Sequence, residues 1–194
     1  MPGMRQSLKL HPDSICGAAT RIEVDVARPR AGNLVLSYVV TGKISALLMP
    51  PIVPAARADE LWQHTCFEAF LRPAADAAYY EFNFAPSTQW AAYQFDSYRN
   101  GMGVLTEIGA PRIEVRAAPE RYTLQATLEL DRLPTARLSS SADDGRVREG
   151  KATWRLGLAA VIEETSGRKS YWALAHPPGK ADFHHSDCFA LEIS

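Results

Sequence analysis

The chain has 194 residues, with 21 lysines and arginines against 22 aspartates and glutamates, which gives a formal net charge of -1. This balance excludes the strongly basic surface that binding to nucleic acid or to an anionic membrane requires. The length is typical of a single domain, residues 1–194, that buries about 70% of the surface its unfolded chain exposes.

The N-terminus and the cysteines both indicate a cytoplasmic protein. No apolar run reaches the ~20 residues of a membrane span, and the first residues, MPGMRQSLKLHPDS, contain no apolar segment of the kind found in secretory signals. Three cysteines, Cys16, Cys66 and Cys188, is an odd number in a chain of this size, which favours free thiols. We therefore expect a cytoplasmic location with reduced cysteines.

Short stretches of β-type residues, separated by Gly, Pro and Asn, follow one another along most of the chain. The first, TRIEVDVAR, places Ile22, Val24 and Val26 on one face, and a turn then leads into NLVLSYVVTG. A proline-containing stretch from Ile44 to Asp59 follows, and we expect an extended loop there. The remaining predicted strands lie in LWQHTCFEAFL, AYYEFNFAP, QWAAYQFDS, PRIEVRAA, RYTLQATLEL, ATWRLGLAAVIEE, KSYWALA and DCFALEI.

About ten strands with little helical periodicity predict an all-β domain, either an antiparallel β-sandwich of two sheets or a barrel. We place its core at about residues 20–193. The polar stretch 135–150 shows no alternation, so we expect a mobile loop there, preceded by one helical turn at Asp131 to Leu133.

The stretch LWQHTCFEAFL, residues 61–71, carries polar residues at alternate positions of a predicted strand. Phe67, Ala69 and Leu71 would lie on the face that joins the core. If the next stretch, AYYEFNFAP, pairs with it as a hairpin, the apolar faces of the two strands coincide. The opposite face then carries Trp62, His64, Cys66, Glu68, Phe70, Glu81 and Asn83.

Such a face combines carboxylates and an amide with flat aromatic rings, which suits a sugar or another small polar ligand. The rings cover the C–H surface of the ligand, and the polar groups hydrogen-bond its hydroxyls. The alternative is an ordinary solvent-facing sheet surface, which antiparallel sheets commonly have.

Three stretches of the chain resemble a known family: DELWQHTCFEAFL, YYEFNFAPSTQWAAYQFDSYRNGM and YWALAHPPGKADFHHSDCFALEI. Together they resemble the DOMON-like domains, a superfamily that includes the family 9 carbohydrate-binding modules and cytochrome-type haem domains. The resemblance extends over roughly Ile22 to Ile193. It implies a β-sandwich of two antiparallel sheets with a ligand site at one side or end.

The sugar-binding relatives hold a sugar between two aromatic rings, beside charged and amide groups. Trp62 resembles the first ring, Glu68 the acid and Arg99 the arginine of that arrangement, and Trp172 is the candidate for the second ring. For Arg99 the alternative to ligand binding is a salt bridge to Asp96 or Glu68. Trp90 is another aromatic residue of these stretches, and we expect it in the core or at its rim.

The haem-binding relatives hold iron between a methionine and a histidine. The corresponding candidates are Met49, in the proline-rich loop, and His176, after the YWALA strand. Haem b is therefore an alternative cofactor, although Met49 is flanked by apolar residues typical of core packing. The lack of an export signal also weighs against haem.

Other chemistry has weaker support in the sequence. His184, His185 and Asp187 lie close together, but no spacing typical of metal ligands is present, and adjacent histidines in an extended segment point to opposite faces. We expect one of them to cap a loop and the other to be solvated. Glu68 and Glu81 on neighbouring strands could satisfy the spacing of a glycosidase pair, but the resemblance does not support that role.

The sequence therefore predicts a non-enzymatic domain without a cofactor or metal, which binds a carbohydrate or a related small polar molecule. Glu81 and Asn83 join Trp62, Glu68, Arg99 and Trp172 as predicted ligand-binding residues. The alternatives are a haem b domain and a scaffold whose sheet face contacts another protein.

Overall fold

Alternating apolar and polar residues produce an all-β architecture in the computed structural model, which describes residues 3–30, 32–74, 76–133 and 153–193. This part of the chain contains short 3-10 turns at Ile44–Ala46, Leu61–Gln63, Leu130–Arg132 and Ser186–Cys188, none long or apolar enough to cross a membrane. It also contains twelve antiparallel strands: β1 (Met4–Leu10), β2 (Ala19–Ala27), β3 (Asn33–Gly42), β4 (Cys66–Pro73), β5 (Tyr79–Phe84), β6 (Trp90–Phe95), β7 (Gly103–Val104), β8 (Arg112–Ala118), β9 (Arg121–Glu129), β10 (Trp154–Glu163), β11 (Lys169–Ala173) and β12 (Leu191–Ile193).

The strands form one continuous sheet in the order β7-β6-β5-β4-β10-β11-β1-β2-β3-β9-β8, with β12 beside β10. Strand β1 joins the two halves of this sheet. Its residues Met4 to Leu8 pair with β2, whereas Lys9 and Leu10 pair with β11. The prediction of an all-β antiparallel fold is confirmed, but a sandwich of two separate sheets is not.

Most predicted strands are present, and the main omission is β1. This strand precedes the predicted core of residues 20–193. It was not predicted because MRQSLKL contains few apolar residues, and most of its side chains are exposed. A 3-10 turn at Leu130–Arg132 matches the helical turn expected near Asp131. The stretch 135–150, predicted to be a mobile loop, lies outside the described residues.

The main core fills the space between the two halves of the curled sheet. Phe67 on β4 is fully buried, and its ring contacts Tyr38 on β3 and Tyr122 on β9, with centroids 5.1 and 6.2 Å away. The Tyr38 hydroxyl donates a 2.7 Å hydrogen bond to the backbone carbonyl of Glu68. The opposite half of the sheet therefore fixes the backbone of β4 at the residue that carries the predicted acid.

The predicted strand 61–71 begins five residues later than expected. Glu60 has a left-handed backbone conformation, with φ of 56°, and the Gln63 N–H donates to its carbonyl, so Leu61–Gln63 forms a 3-10 turn. Strand β4 begins only at Cys66, and the alternation that places Cys66 and Glu68 on one face is confirmed there. Trp62 and His64 precede the strand, so the alternation does not determine their orientation.

Candidate functional site

One half of the sheet consists of β4, β5, β6, β7, β10, β11 and β12, and its outer face carries a separate apolar cluster. Side chains that alternate with the core residues of β4, β5, β6, β10 and β11 point away from the main core. They meet two phenylalanines, Phe183 and Phe189, from the C-terminal stretch that we name the covering segment, residues 176–190. The outer cluster comprises Phe70, Tyr79, Ala91, Tyr93, Phe95, Ala159, Val161, Ala173, Phe183 and Phe189.

The covering segment packs closely on β10 because Gly157 has no side chain. A Cβ atom at Gly157 would lie 3.1 Å from the Cys188 carbonyl oxygen and 3.3 Å from the Phe70 Cβ. The Cys188 thiol donates to the carbonyl oxygens of Ala175 and Asp182, at 3.1 and 3.2 Å. These contacts hold the covering segment against the sheet along one side of an open cleft.

The cleft has a volume of about 630 Å³, within the range typical of small-molecule sites. It brings together four of the predicted ligand-binding residues, Trp62, Glu68, Glu81 and Arg99. Sequence reasoning missed its other lining residues, which come from β6, β10, β11, the loops and the covering segment: Gln63, Tyr93, Phe95, Met102, Val161, Lys169, Tyr171, Ala181, Phe183 and His184.

Two buried carboxyl groups lie on the floor of the cleft. Glu68 is directly opposite Asn83 in the β4–β5 pair, and Glu81 is the diagonal neighbour of Glu68 on the same face. Glu68 is only 3% exposed and Glu81 only 5%. The Asn83 amide donates a 2.7 Å hydrogen bond to Glu81 Oε1, whereas Glu68 Oε1 has no hydrogen-bond partner in the described part of the chain.

Burial raises the pKa of both carboxyl groups. For Glu68 the negative charge of Glu81 adds to this effect, and the Arg99 guanidinium only partly offsets it, so the pKa lies well above its usual range. For Glu81, burial outweighs the stabilising Asn83 amide and Arg99 guanidinium. The pair therefore retains protons at a pH where exposed glutamates are ionised.

His184 forms part of the cleft wall as a neutral imidazole. Burial among the rings of Phe70, Tyr79 and Phe95, together with the Arg99 charge, lowers its pKa to about 4. Its Nδ1 lies 2.8 Å from the Tyr79 hydroxyl, and the tautomer that fits this bond with Tyr79 as donor carries its proton on Nε2. Nε2 lies 3.7 Å from Glu81 Oε2.

Arg99 is held at the cleft by Asp182 of the covering segment. Its Nε and Nη2 atoms donate to Asp182 Oδ1 at 3.2 and 2.7 Å, and its backbone N–H donates to the Tyr79 hydroxyl at 3.2 Å. Tyr98 donates to the other Asp182 oxygen, and the His184 N–H donates to Oδ1 at 3.1 Å. Although partial burial opposes it, these donors lower the pKa of Asp182. The alternative considered for Arg99, a salt bridge to Asp96 or Glu68, is not found, because Arg99 pairs with Asp182.

Replacement of Asp182 by alanine is expected to lower the free energy of unfolding by about 1 kcal/mol. This is less than the roughly 1.5–3 kcal/mol typical of hydrogen bonds to a charged group, because solvent screens the half-exposed Arg99. Urea denaturation measures the change. The matched control is Asp25→Ala, which removes the more exposed pair with Arg5. A loss no larger than that of Asp25→Ala would contradict a clamping role for Asp182.

Trp62 lies at the cleft although its alternation with Glu68 is not confirmed. Leu61 packs against the outer cluster and anchors the 3-10 turn, and the indole of Trp62 remains 50% exposed beside the cleft. His64, from the same predicted face, instead places Nδ1 2.8 Å from Glu163 Oε2. A half-exposed tryptophan beside a polar cleft is able to cover an apolar ligand surface.

Trp172 is not part of the cleft, so its predicted position is wrong. Its side chain is buried in the main core, and its Nε1 donates a 3.1 Å hydrogen bond to Ser170 Oγ. Alternation along β11 places Lys169 and Tyr171 on the cleft face instead. Trp90 is buried in the main core, with the Arg57 guanidinium 4.1 Å from its ring centroid. Asn83 is fully buried and supports Glu81 without lining the cleft.

The two candidate haem ligands do not form a suitable site. Met49 packs against the main core. His176 Nε2 lies 2.8 Å from the Lys9 carbonyl oxygen, which requires a proton on that nitrogen, and its Nδ1 is buried. These residues do not fit axial coordination of a haem iron.

Metal ligands and reactive thiols have little support in the described residues, which contain no cluster of three or more acidic, histidine or cysteine side chains suited to a metal ion. All three cysteines are free, and burial raises the pKa of Cys66 and, to about 12, that of Cys188. His185 caps the Ser186–Cys188 turn, as expected of one histidine. The expectation that its neighbour is solvated is wrong, because His184 is largely buried in the cleft wall.

Comparisons with models of protein families and with curated protein sequences find no match. Comparison with solved structures finds a proposed carbohydrate-binding protein from Bacteroides uniformis, with a TM-score of 0.65 and 14% sequence identity. The match covers 95% of this chain and 83% of that protein. At this identity the likeness shows a shared fold, and the resemblance to DOMON-like domains is not confirmed by it.

Proposed function

We propose that this chain is a non-catalytic carbohydrate-binding domain and that the outer cleft is its binding site. The observation that carries the proposal is the arrangement of a half-exposed indole, Trp62, beside a cleft whose floor consists of buried carboxyl groups. A sugar ring presents an apolar C–H surface and hydroxyl groups, and this arrangement offers a partner to each. The sequence resemblance to DOMON-like domains, which include the family 9 carbohydrate-binding modules, is consistent with this proposal.

The polar groups of the cleft are fixed before a ligand arrives. Asn83 holds Glu81, Asp182 holds Arg99, and Tyr79 holds His184. Fixed groups lose little conformational entropy on binding, which favours affinity for a small ligand. The Tyr171 and Phe183 rings add apolar surface at the cleft, and either ring is a better candidate than Trp172 for a second contact with the sugar.

Binding without chemistry is the simplest use of these groups. Catalysis by a cysteine requires a thiolate, and burial holds the Cys66 and Cys188 thiols in their protonated forms. Glu68 lies on a central strand at 3% exposure, where it can accept or donate a hydrogen bond but has little access to water for hydrolysis. We therefore propose a binding role for the Glu68 and Glu81 pair.

Trp62→Ala is expected to weaken sugar binding about tenfold, equivalent to about 1.4 kcal/mol, because the variant loses the ring that covers the sugar. Isothermal titration calorimetry with a panel of neutral and amino disaccharides measures the change. The control is Ile52→Ala, which removes a more exposed apolar side chain from the proline-rich loop. Unchanged affinity in Trp62→Ala would contradict the proposed site, and absence of binding across the panel would contradict the proposed function.

A further inference from the structure

The two acids on the cleft floor, Glu68 and Glu81, form no close ion pair with the described basic side chains around the cleft. Arg99 directs two side-chain hydrogen bonds to Asp182, which is therefore its nearest acid. Lys169 also lines the cleft, but it forms no ion pair with Glu68 or Glu81 in the described part of the chain. Glu68 and Glu81 have no such cation of their own among the described residues, since Arg99 acts on them only at longer range and His184 is neutral near pH 7. The cleft floor thus has an excess of acid.

Glu68 has a second property that indicates a missing partner. It lines the cleft, its side chain is almost completely buried, and Oε1 has no hydrogen-bond donor in the described part of the chain. A buried carboxyl oxygen without a donor destabilises the fold, and a charged one does so more strongly. A ligand that brings a donor to this position removes the penalty, and this relief contributes to the free energy of binding.

From the excess of acid and the unpartnered oxygen, we propose that the cleft selects a sugar that carries a protonated amine, over neutral or acidic sugars. This inference rests on the proposed function, because it names the class of carbohydrate that the same cleft takes. An ammonium group donates charge-assisted hydrogen bonds to carboxylates, which are about twice as strong as neutral ones. A sugar carboxylate at the same position brings no donor to Glu68 Oε1, and an ionised Glu68 or Glu81 would repel it. The exposed Trp62 ring is also a favourable neighbour for a cation.

Binding of the ammonium group changes the protonation of the floor. Before binding, burial raises the pKa of both carboxyl groups, so Glu68 and Glu81 hold their protons more tightly than exposed glutamates do. The incoming cation stabilises the ionised carboxylate, so the carboxyl O–H bond breaks and its proton passes to the buffer. The other titratable groups that line the cleft are Tyr93, Arg99, Lys169, Tyr171 and His184. Beneath them, Tyr38, Cys66 and Tyr79 also interact with one or both of the two acids. A neutral sugar leaves the proton in place.

The test compares four β-1,4-linked disaccharides with the same linkage. They are the glucosamine disaccharide, its N-acetylated form, cellobiose and cellobiuronic acid, which differ mainly in the charge they carry. Titrations run at about pH 6, where a sugar amine is protonated, and are repeated in phosphate and Bis-Tris, whose different heats of ionisation report proton release. Glu68→Gln is the test variant, and Glu120→Gln, at an exposed position, is the matched control.

The glucosamine disaccharide is expected to bind at least about tenfold more tightly than cellobiose, equivalent to about 1.4 kcal/mol, with release of protons. The N-acetylated form is expected to lose this advantage, and cellobiuronic acid to bind most weakly. In Glu68→Gln the ratio of amine to neutral affinity should fall toward one, whereas Glu120→Gln should keep the ratio of the native protein.

Equal binding of the glucosamine disaccharide and cellobiose by the native protein, without proton release, would overturn the amine preference but leave carbohydrate binding intact. Absence of binding by all four disaccharides would overturn both proposals. The comparison of ligands and buffers on the native protein is decisive even if Glu68→Gln does not fold.

Discussion

Replacement of Phe67 by alanine is expected to lower the free energy of unfolding by about 3–5 kcal/mol, the range for deletion of a buried phenylalanine ring. The side chain is fully buried, and its ring lies between Tyr38 and Tyr122 from the opposite half of the sheet. The variant leaves a cavity at the point where the two halves meet, and rigid strands on both sides limit its collapse. Urea denaturation monitored by tryptophan fluorescence measures the loss.

Val104→Ala is the control for this prediction. Val104 is 57% exposed on the short edge strand β7, so its truncation is expected to change stability by less than about 0.5 kcal/mol. If Phe67→Ala costs as little as Val104→Ala, the two halves of the sheet do not share one core. A large cost would also show that β4, which carries Glu68, depends on the opposite half for its position.

The fold was largely predictable because β-strands leave a local pattern. Ile22, Val24 and Val26 alternate within a single stretch, and alternation alone identifies β2. Strand β1 leaves a weaker pattern, since only Leu8 is buried in it. The joining of both halves through β1 depends on pairing between residues far apart in the chain, such as Leu10 and Trp172, and local periodicity carries no information about such pairing.

Four of the fourteen described residues that line the cleft were predictable from the sequence. Glu68 and Glu81 were found from strand alternation, and Trp62 and Arg99 from the resemblance. Trp172 was misplaced because a resemblance without a reliable register does not distinguish it from Tyr171, and a shift of one residue in a strand exchanges the two faces. Asp182 and His184 were missed because the covering segment is irregular. Their positions depend on packing contacts, such as that at Gly157, which no short sequence pattern indicates.

Glu68→Gln is expected to raise the free energy of unfolding by about 1–3 kcal/mol at alkaline pH, because it removes a buried charge that lacks a hydrogen-bond donor. The pKa of Glu68 is raised in the folded state above its ordinary value of 4.5. A raised pKa gives stability that is fully present below the unfolded value and is lost as pH rises through the folded value. The native protein should therefore lose stability on going from about pH 5 toward alkaline pH, and the variant should lose less.

Denaturation curves at a series of pH values, with Glu120→Gln as control, test this dependence. The two curves for the native protein and Glu68→Gln should lie close together near about pH 4 and separate as pH rises, whereas Glu120→Gln should follow the native protein. Parallel curves would show that ionisation of Glu68 does not destabilise the folded protein. If the curves separate and Glu68→Gln also loses the amine preference, one carboxyl group lowers stability and provides selectivity. That combination is expected of a binding site, because a buried acid that weakens the free protein is compensated only when its ligand is present.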